Sequence, residues 1–574
     1  MNDLAAYANF HDFRAKFRPE TPYGRELHEK QCLYFDIAEL EKIYDQTEVL
    51  LTLLKELQDE PSRLSLISHH LKQLPRFSEH GQSSFDEIDL FQIKKFLHNY
   101  RSLMEQLPED TRSTFGFEYG SQALGEQLNL GQQSAETFYI ADEYSPELKK
   151  IRAEISLTDA EIRESEDRRV VEIQEKFGFS FEGRAFLLVP KESLVDIALA
   201  SEQMVIEPYD DKLFSVRPLA CINILALVDK RHKLAQQERI VEASVLESLS
   251  IQVHAEMPKL ISYRNTVLAF DLAWVRARMA LQHGLTRPKL HTKNSIHIQK
   301  GIYLPCQSTC AEYGISYTPL DAIFDSATVI FGSNMGGKTV VLQTTAFLQL
   351  AAQSGFFVPA EKFMTRIFHN FYYIGERHGS PSQHGHTGLS GFAIEMQQLT
   401  EAWQSINADE NGTLLLMDEF ARTTSSSEAE ALLAAVLEAI SKKSNTLALC
   451  STHFHRLPRI PDLKFLRMSG LKQSIELRAE KMKVEVPVYS MVAGPDGFAR
   501  DGCRGGLAYP SRAKDTENLE KTGPNAISEI ARHMTYSLVP DNGNQCSDAI
   551  AVARMLGVDG GLVDRAEEFW TSAM

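Results

Sequence analysis

Cysteine is scarce in this chain, and its few cysteines form no recognisable framework. The 574 residues include seven cysteines, and no two of them have the C-x-x-C spacing of a zinc module. An odd number of scattered thiols also argues against a small secreted domain held together by disulfides. This cysteine usage predicts a protein of a reducing compartment, the cytoplasm.

Long apolar runs and an excess of positive charge are also missing. Nowhere do about 18 apolar residues follow one another, and the first residues lack the basic and apolar regions of a secretory signal. The formal net charge is -17, which excludes a surface that is basic throughout but not a local positive groove. We therefore expect a cytoplasmic protein with no membrane partner.

Length and periodicity predict a multidomain chain, because 574 residues are too many for one compact core. Residues 1–145 have the apolar spacing of a helical core region. Residues 146–286 predict two long, lever-like helices that flank a small β-containing, clamp-like insertion near 179–220, with Pro258 as a kink or a break. Residues 287–574 alternate strands and helices, which predicts an α/β domain.

The strongest motif follows a short apolar strand predicted at 327–331. Residues 332–339 match G-x-x-x-x-G-K-[ST], and the residues after them have helical spacing. Glycines let the backbone turn tightly, so that N–H groups and the positive end of the helix point at phosphate oxygens. Lys338 would reach the β- and γ-phosphates of ATP as a catalytic group, and Thr339 would ligate Mg²⁺. The residues assigned to ATP here are Gly332, Ser333, Asn334, Met335, Gly336, Gly337, Lys338, Thr339 and Val340.

A second apolar strand, at residues 413–418, ends in two acids. Asp418 would hold Mg²⁺ through the hydration shell of the ion, and Glu419 would polarise the attacking water. A third strand, at 446–450, leads to His453, which either contacts the γ-phosphate or the water, or is structural. The sequence therefore predicts a P-loop ATPase with Glu419 and His453 as further catalytic groups.

These blocks, in this order, resemble the ATPase domain of the MutS family, an ABC-like class of dimeric ATPases. The family's G-P-N-M-G-G-K-S-T corresponds to residues 332–340, its D-E-I-G-R-G-T-S to 418–425 and its A-T-H to 451–453. Residues 388–396 are similar to its S-T-F-x-x-E-M segment. The resemblance implies that Ser390 reaches the ATP of the partner subunit, so that a homodimer has composite ATP sites.

Residues 547–566 are similar to the segment that closes this domain in the family, which implies a C-terminal helical dimerisation segment. The chain also departs from the family pattern. Ser333 stands where the family has proline, Gly391 stands where it has threonine, and nothing in the first 40 residues matches the G-x-F-Y-E type motif of mismatch readers.

Two segments leave their roles open. Residues 420–427 suit a switch or subunit-contact loop, or a helix cap made by serines. The stretch before Ser390 contains His378, His384 and His386, which suit either metal binding or a flexible loop. A flexible loop is favoured because no cysteine or acidic framework accompanies the histidines.

The resemblance implies an ATP-dependent DNA-binding protein of the MutS family. In this interpretation ATP binding and hydrolysis drive a dimeric clamp to open and close on DNA, in mismatch repair or recombination. Family members without the mismatch reader include proteins implied to reactivate cobalamin-dependent aminomutases. The alternative is therefore a MutS-like ATPase that remodels or reactivates a protein partner without recognising mismatched DNA.

Overall fold

The structure is a computed structural model in which the described residues form two compact units. The first unit comprises Met1–Pro19, Leu27–Asp59 and Leu272–Met574, and the second comprises Glu20–Glu26 and Glu60–Asp271. The domain boundaries drawn from the sequence at residues 145 and 286 stay a prediction. The structure describes residues 2–30, 33–78, 84–134, 136–177, 180–181, 184, 186–190, 204–219, 221–332, 337–375, 391–408, 411–422, 425–454, 457–470, 534–541, 548–555 and 558–573.

Helices predominate before residue 284, as the apolar spacing predicts. Among these, the long helix predicted at the start of the lever region has the bounds Pro146–Phe177. The described helices there are α1 Asn2–Tyr7, α2 Phe10–Ala15, α3 Pro22–Lys30, α4 Ile37–Glu56, α5 Pro61–Gln73, α6 Glu87–Gln106, α7 Glu109–Phe115, α8 Gln122–Leu128, α9 Pro146–Phe177 and α10 Ile222–His283, with 3-10 turns at Leu57–Asp59 and Asp142–Tyr144.

Acidic caps fix where two of these helices begin. The Asp36 carboxylate accepts the N–H of Ala38 at 3.0 Å at the start of α4. At the start of α6, Asp86 accepts the N–H of Asp89 at 2.8 Å, and the Asp89 side chain accepts the N–H of Asp86. These bonds satisfy N–H groups that have no partner within the helix.

The predicted β-containing insertion lies between α9 and α10. Its strands are β1 Leu187–Pro190, β2 Met204–Pro208 and β3 Leu213–Pro218, which pair antiparallel in the order β1-β3-β2. Ile173 near the end of α9 packs with Met204 and Val216 in a small apolar cluster. A separate small core therefore holds this sheet against α9.

Of the kink and the break predicted at Pro258, the break is wrong, because the 62-residue helix α10 continues through the proline, whereas the kink stays a prediction. A proline inside a helix removes one backbone hydrogen bond and crowds the preceding turn. The side chains of Val253, Leu260 and Val267 around it are fully buried. Apolar packing on both sides of the proline therefore outweighs the local cost.

Two sheets form in the first unit after α10. One has four strands in the order β4-β8-β5-β6, and the other has six in the order β13-β12-β7-β11-β10-β9. The described elements are β4 Lys289–Leu290, β5 Ile296–Gly301, α11 Leu304–Glu312, β6 Leu320–Phe324, β7 Thr328–Phe331, α12 Lys338–Gln353, β8 Lys362–Thr365, β9 Asn370–Ile374, α13 Gly391–Ala408, β10 Thr413–Asp418, α14 Ser426–Ser441, β11 Thr446–Thr452, β12 Lys464–Met468, β13 Leu538–Pro540, α15 Asp548–Met555 and α16 Gly560–Ala573.

The six-stranded sheet is parallel except for β13. All seven residues of β11 are buried, as are the first five of β10, which agrees with the mostly apolar residues at the centres of both strands. Leu433 and Leu437 of α14 pack in the core cluster beside these strands. No helix in the described parts of the chain combines the length and apolarity needed to cross a membrane.

The N-terminal segment, residues 2–19, packs on the helix that follows the glycine motif. Phe13 makes edge-to-face contacts with Phe347 of α12 and with Phe356, at centroid distances of 5.2 and 5.4 Å. Phe10 lies 6.0 Å from Phe347, and Phe17 lies 5.1 Å from Phe356. The first residues of the chain thus belong to the core that carries the motif.

Candidate active site

Those predicted site residues that the structure describes come from segments at one edge of the six-stranded sheet. Strand β11 pairs in parallel with β7 on one side and β10 on the other, so that Ser451 lies opposite both Ile330 and Asp418. Parallel strands bring their carboxyl ends to the same edge. The segments that follow these three strands, which begin at Gly332, Glu419 and His453, therefore converge.

The glycine motif joins β7 to α12, as the sequence predicts. Gly337 has a φ of 89°, a left-handed conformation that favours glycine, and α12 begins at the next residue. A Cβ at Gly337 would lie 3.3 Å from the Tyr536 ring and 3.5 Å from the end of Met468. The backbone is therefore covered closely on that side. Ser333, Asn334, Met335 and Gly336 lie outside the described residues.

Lys338 is buried among carboxylates and main-chain oxygens. Its Nζ donates to the carbonyl oxygen of Gly332 at 2.7 Å and lies 3.7 Å from Oε1 of Glu419. Burial lowers the pKa of Lys338, while the charges of Glu419 and Asp418 oppose that shift. An ammonium group is thus held at the head of the glycine loop with Glu419 as its counter-ion.

The Asp418 carboxylate is bound by hydroxyl groups. Its Oδ1 accepts from Thr339 Oγ1 at 3.3 Å and from Ser451 Oγ, and its Oδ2 accepts from the Tyr7 hydroxyl at 3.0 Å. Burial and the adjacent Asp418 charge raise the pKa of Tyr7 well above its usual value, so the phenol remains a donor. Three hydroxyls from distant parts of the sequence thus fix one carboxylate.

Glu419 leaves the strand in a conformation that is uncommon for residues with a side chain. Its φ is 50°, and its N–H donates to the Ser451 hydroxyl at 3.1 Å. Its carboxylate lies 3.4 Å from Nη1 of Arg422. Ala421 also has a positive φ, of 61°, and its N–H donates to the buried carboxylate of Glu395 at 2.7 Å. This turn carries the local strain often found at functional sites, and specific side chains hold it.

The remaining predicted residues are only partly placed. His453 directly follows β11, and its ring packs on Phe454 at a centroid distance of 4.6 Å. Its proposed contact with phosphate or water stays a prediction. Ser425 precedes α14 as its N-cap residue, although its hydroxyl bonds to Glu428. Ser390 and the His378, His384 and His386 segment lie outside the described residues.

The donor set fits Mg²⁺ and a nucleotide phosphate. Thr339 Oγ1 and the Asp418 carboxylate are oxygen donors 3.3 Å apart, of the kind that Mg²⁺ prefers. Gly337 has the left-handed backbone conformation of a tight turn, and the 16-residue helix α12 presents its N-terminus beside it. Lys338, Thr339 and Asp418 would hold the metal–nucleotide complex, as the sequence predicts.

Sequence reasoning missed several residues that build this site. Ser451 has a detectable signal, because aligning β10 and β11 by their apolar runs places it opposite Asp418. Tyr7 and Tyr536 have no such signal in the sequence, since neither lies in a motif and both come from parts of the sequence distant from the site motifs.

Comparison with known proteins finds similarity over the segment that contains these motifs. The family profile described as MutS domain V matches residues 328–494, which begin at the first residue of β7. The chain is 25% identical to endonuclease MutS2 of Lactiplantibacillus plantarum over 522 residues, which cover 85% of this chain and 59% of that protein. It is 30% identical to the DNA mismatch repair protein MutS of Myxococcus xanthus over 244 residues, 40% of this chain and 26% of that protein.

A MutS2 protein of Clostridium botulinum is 28% identical over 285 residues, which are 49% of this chain and 33% of the relative. The chain thus spans between about a quarter and three fifths of the length of these relatives. The range matched by the profile includes the glycine loop and the two acids at the end of β10. Residues 328–494 thus match MutS domain V, and the chain is similar to the MutS and MutS2 proteins of that family.

Proposed function

We propose that the chain is a P-loop ATPase that binds ATP with Mg²⁺ at the carboxyl edge of the six-stranded sheet. The observation that carries this proposal is the meeting of Lys338, Thr339 and Asp418, with a hydroxyl–carboxylate distance of 3.3 Å between residues 79 positions apart. The match of residues 328–494 to MutS domain V supports it.

Each residue has a separate role in this proposal. Lys338 binds the β- and γ-phosphates, while Thr339 and Asp418 hold the metal. Mg²⁺, when bound, supplies positive charge that is shared between phosphate oxygens. Glu419 orients the attacking water. The hydrogen bond from its N–H to the Ser451 hydroxyl fixes the main chain from which the Glu419 side chain extends. His453, at the same edge of the sheet, is a further catalytic group that contacts the γ-phosphate or the attacking water.

The ATPase proposal is tested by Lys338→Ala, with Lys442→Ala as the control at a surface lysine whose side chain is 69% exposed. Losing one positioned charge donor lowers turnover by about 10²–10³-fold, by comparison with other preorganised sites. Glu419→Gln should retain ATP binding and lose hydrolysis. Unchanged turnover in Lys338→Ala would contradict the site assignment.

We further propose a homodimer in which Ser390 completes the ATP site of the partner subunit. Mixing Lys338→Ala subunits with Ser390→Ala subunits tests this directly. A composite site predicts that each mixed dimer has one intact site, so an equal, random mixture of the two inactive variants regains about a quarter of the wild-type turnover. If Ser390 serves its own subunit, mixing restores nothing.

The C-terminal helices are the proposed dimerisation segment. Val558, Leu562 and Phe569 in and before α16 are 45%, 67% and 61% exposed, so this segment presents three accessible apolar side chains. Leu562→Asp is expected to give monomers in analytical ultracentrifugation. The neighbouring surface change Glu567→Gln should leave the dimer intact, and a dimeric Leu562→Asp chain would contradict this surface.

DNA is the proposed substrate of the assembled dimer, in mismatch repair or recombination. The support is the similarity to MutS proteins together with two long helices, of 32 and 62 residues, that flank a small sheet. Such lever-like helices would open and close a clamp as the ATP state changes. ATP-sensitive retention of homoduplex, mismatched and branched DNA should be compared at about 50 and 200 mM salt, because phosphate contacts weaken steeply with salt. Loss of retention in every ATP state at the lower salt would contradict a DNA clamp.

A protein partner is the alternative, and the net charge of -17 favours it because DNA repels an acidic surface. In this alternative the ATP cycle remodels or reactivates the partner. A Glu419→Gln chain, which should retain ATP, would be used for recovery from nuclease-treated extract. A defined protein recovered with ATP and lost without it supports the alternative, whereas recovery of DNA alone contradicts it.

A further inference from the structure

A tyrosine from the first helix reaches the metal end of the site. Tyr7 is the last residue of α1, and its side chain is 4% exposed. Its hydroxyl lies 3.0 Å from Oδ2 of Asp418 and 3.3 Å from the main-chain oxygen of Thr339. The phenol therefore contacts both residues that would hold Mg²⁺.

This hydroxyl binds the carboxylate oxygen that the neighbouring side chains leave open. Thr339 and Ser451 both donate to Oδ1 of Asp418, whereas Tyr7 donates to Oδ2. Two oxygens fixed by donors from different directions determine the plane of the carboxylate. Removing the Tyr7 donor would leave the carboxylate held through Oδ1 by Thr339 and Ser451, so its orientation would be less firmly fixed.

The structure also holds Tyr7 itself in place. Its ring stacks on that of Tyr373 at a centroid distance of 4.0 Å, and Gln343 Nε2 of α12 donates to its main-chain oxygen at 3.1 Å. The ring and the backbone are thus anchored independently of the hydroxyl. A Tyr7→Phe change would remove the bond to Asp418 and leave the ring in its stack.

We propose that Tyr7 is a positioning residue that sets the affinity of this site for a divalent cation. This inference rests on the proposed ATPase function, and it gives the N-terminal segment a part in metal binding. Hydrogen bonds to a metal-holding carboxylate typically change metal affinity by 10–100-fold. Packing of residues 2–19 and binding of the divalent cation are reciprocally linked, since each stabilises the same orientation of the Asp418 carboxylate.

The test compares Tyr7→Phe with Tyr44→Phe. Tyr44 is the matched control because its buried hydroxyl donates to the main-chain oxygen of Ala352 at 2.7 Å, at the other end of α12. Mn²⁺ affinity is measured by electron paramagnetic resonance with a non-hydrolysable ATP analogue. Tyr7→Phe is expected to weaken Mn²⁺ binding about tenfold or more. Its affinity for the analogue in EDTA and the Mn²⁺ affinity of Tyr44→Phe should remain at wild-type values.

Equal Mn²⁺ affinity in Tyr7→Phe and the wild type would overturn the inference. If the wild-type chain itself binds no Mn²⁺ with nucleotide, the proposed ATPase function fails, and the contact is then tested without ligand. Urea unfolding gives the factor by which Tyr7→Phe changes the unfolding equilibrium constant. This factor should be at least about threefold smaller in an Asp418→Ala background than in the wild-type background. Equal effects in both backgrounds would show that the two residues are not coupled.

Discussion

Phe13→Ala should detach the N-terminal segment from the core of the first unit. Phe13 is 4% exposed, and its ring lies in edge-to-face contact with Phe347 and Phe356. Phe347 is a fully buried residue of α12, the helix that begins at Lys338. The truncation therefore opens a cavity directly against the helix that carries the site.

The expected loss in the free energy of unfolding is about 4 kcal/mol. Truncating a buried phenylalanine costs ~3–5 kcal/mol through lost apolar burial and the residual cavity. Each edge-to-face pair adds ~0.5–1.5 kcal/mol beyond burial, but the short segment is able to relax into part of the cavity. These two corrections oppose each other, which keeps the value near the middle of the range.

Tryptophan fluorescence during urea unfolding measures this loss cleanly. All three tryptophans, Trp274, Trp403 and Trp570, belong to the first unit, so the second unit does not contribute to the signal. Tyr313→Ala is the control, because Tyr313 is 61% exposed in the same unit and its loss should stay within ~0.5 kcal/mol. A loss below ~1 kcal/mol for Phe13→Ala would refute the packing described for residues 2–19.

Three other changes test particular features of the fold. Gly337→Ala should lower both the thermal midpoint and the affinity for nucleotide. Alanine in the left-handed conformation costs ~1–2 kcal/mol, and its Cβ would lie 3.3 Å from Tyr536. An unchanged midpoint in calorimetry would contradict the requirement for glycine. Pro258→Ala should stabilise the long helix α10 by about 2 kcal/mol, since alanine restores a backbone N–H inside the helix. A lower thermal unfolding midpoint, measured by circular dichroism, would mean that the packing needs the proline ring. Arg152→Lys should destabilise the second unit by ~1.5–3 kcal/mol. The planar guanidinium donates to three carboxylates at 2.7–2.8 Å, and an ammonium group lacks that arrangement of donors. Backbone hydrogen exchange equal to that of the wild type would contradict this prediction.

The nucleotide loop and the strand acids could be predicted because their signals are contiguous. A run of apolar residues that ends in a glycine motif or in two acids identifies a strand and the edge where it stops. Strands β7, β10 and β11 are confirmed by the structure, and parallel pairing then brings Lys338, Asp418 and His453 to one edge. The small sheet near 179–220 was predictable for the same reason, from a change in apolar period.

Contacts between distant segments could not be predicted in this way. Tyr7 is one tyrosine in a six-residue helix, and nothing in the sequence pairs it with Asp418, 411 positions later. The break predicted at Pro258 was wrong for a related reason. Local propensity describes only the cost of the proline, whereas the burial of Val253 and Leu260 by the tertiary fold decides the outcome.

The interrupted course of the first unit has a consequence for synthesis of the protein. Phe13 leaves the ribosome 334 residues before Phe347, the residue against which it packs. At roughly 5–20 residues per second, this delay is about 20–70 seconds, during which the second unit has time to fold. The aromatic side chains of residues 2–19 lack their final packing partners during that interval, so the core of the first unit is completed only after the whole second unit has been synthesised.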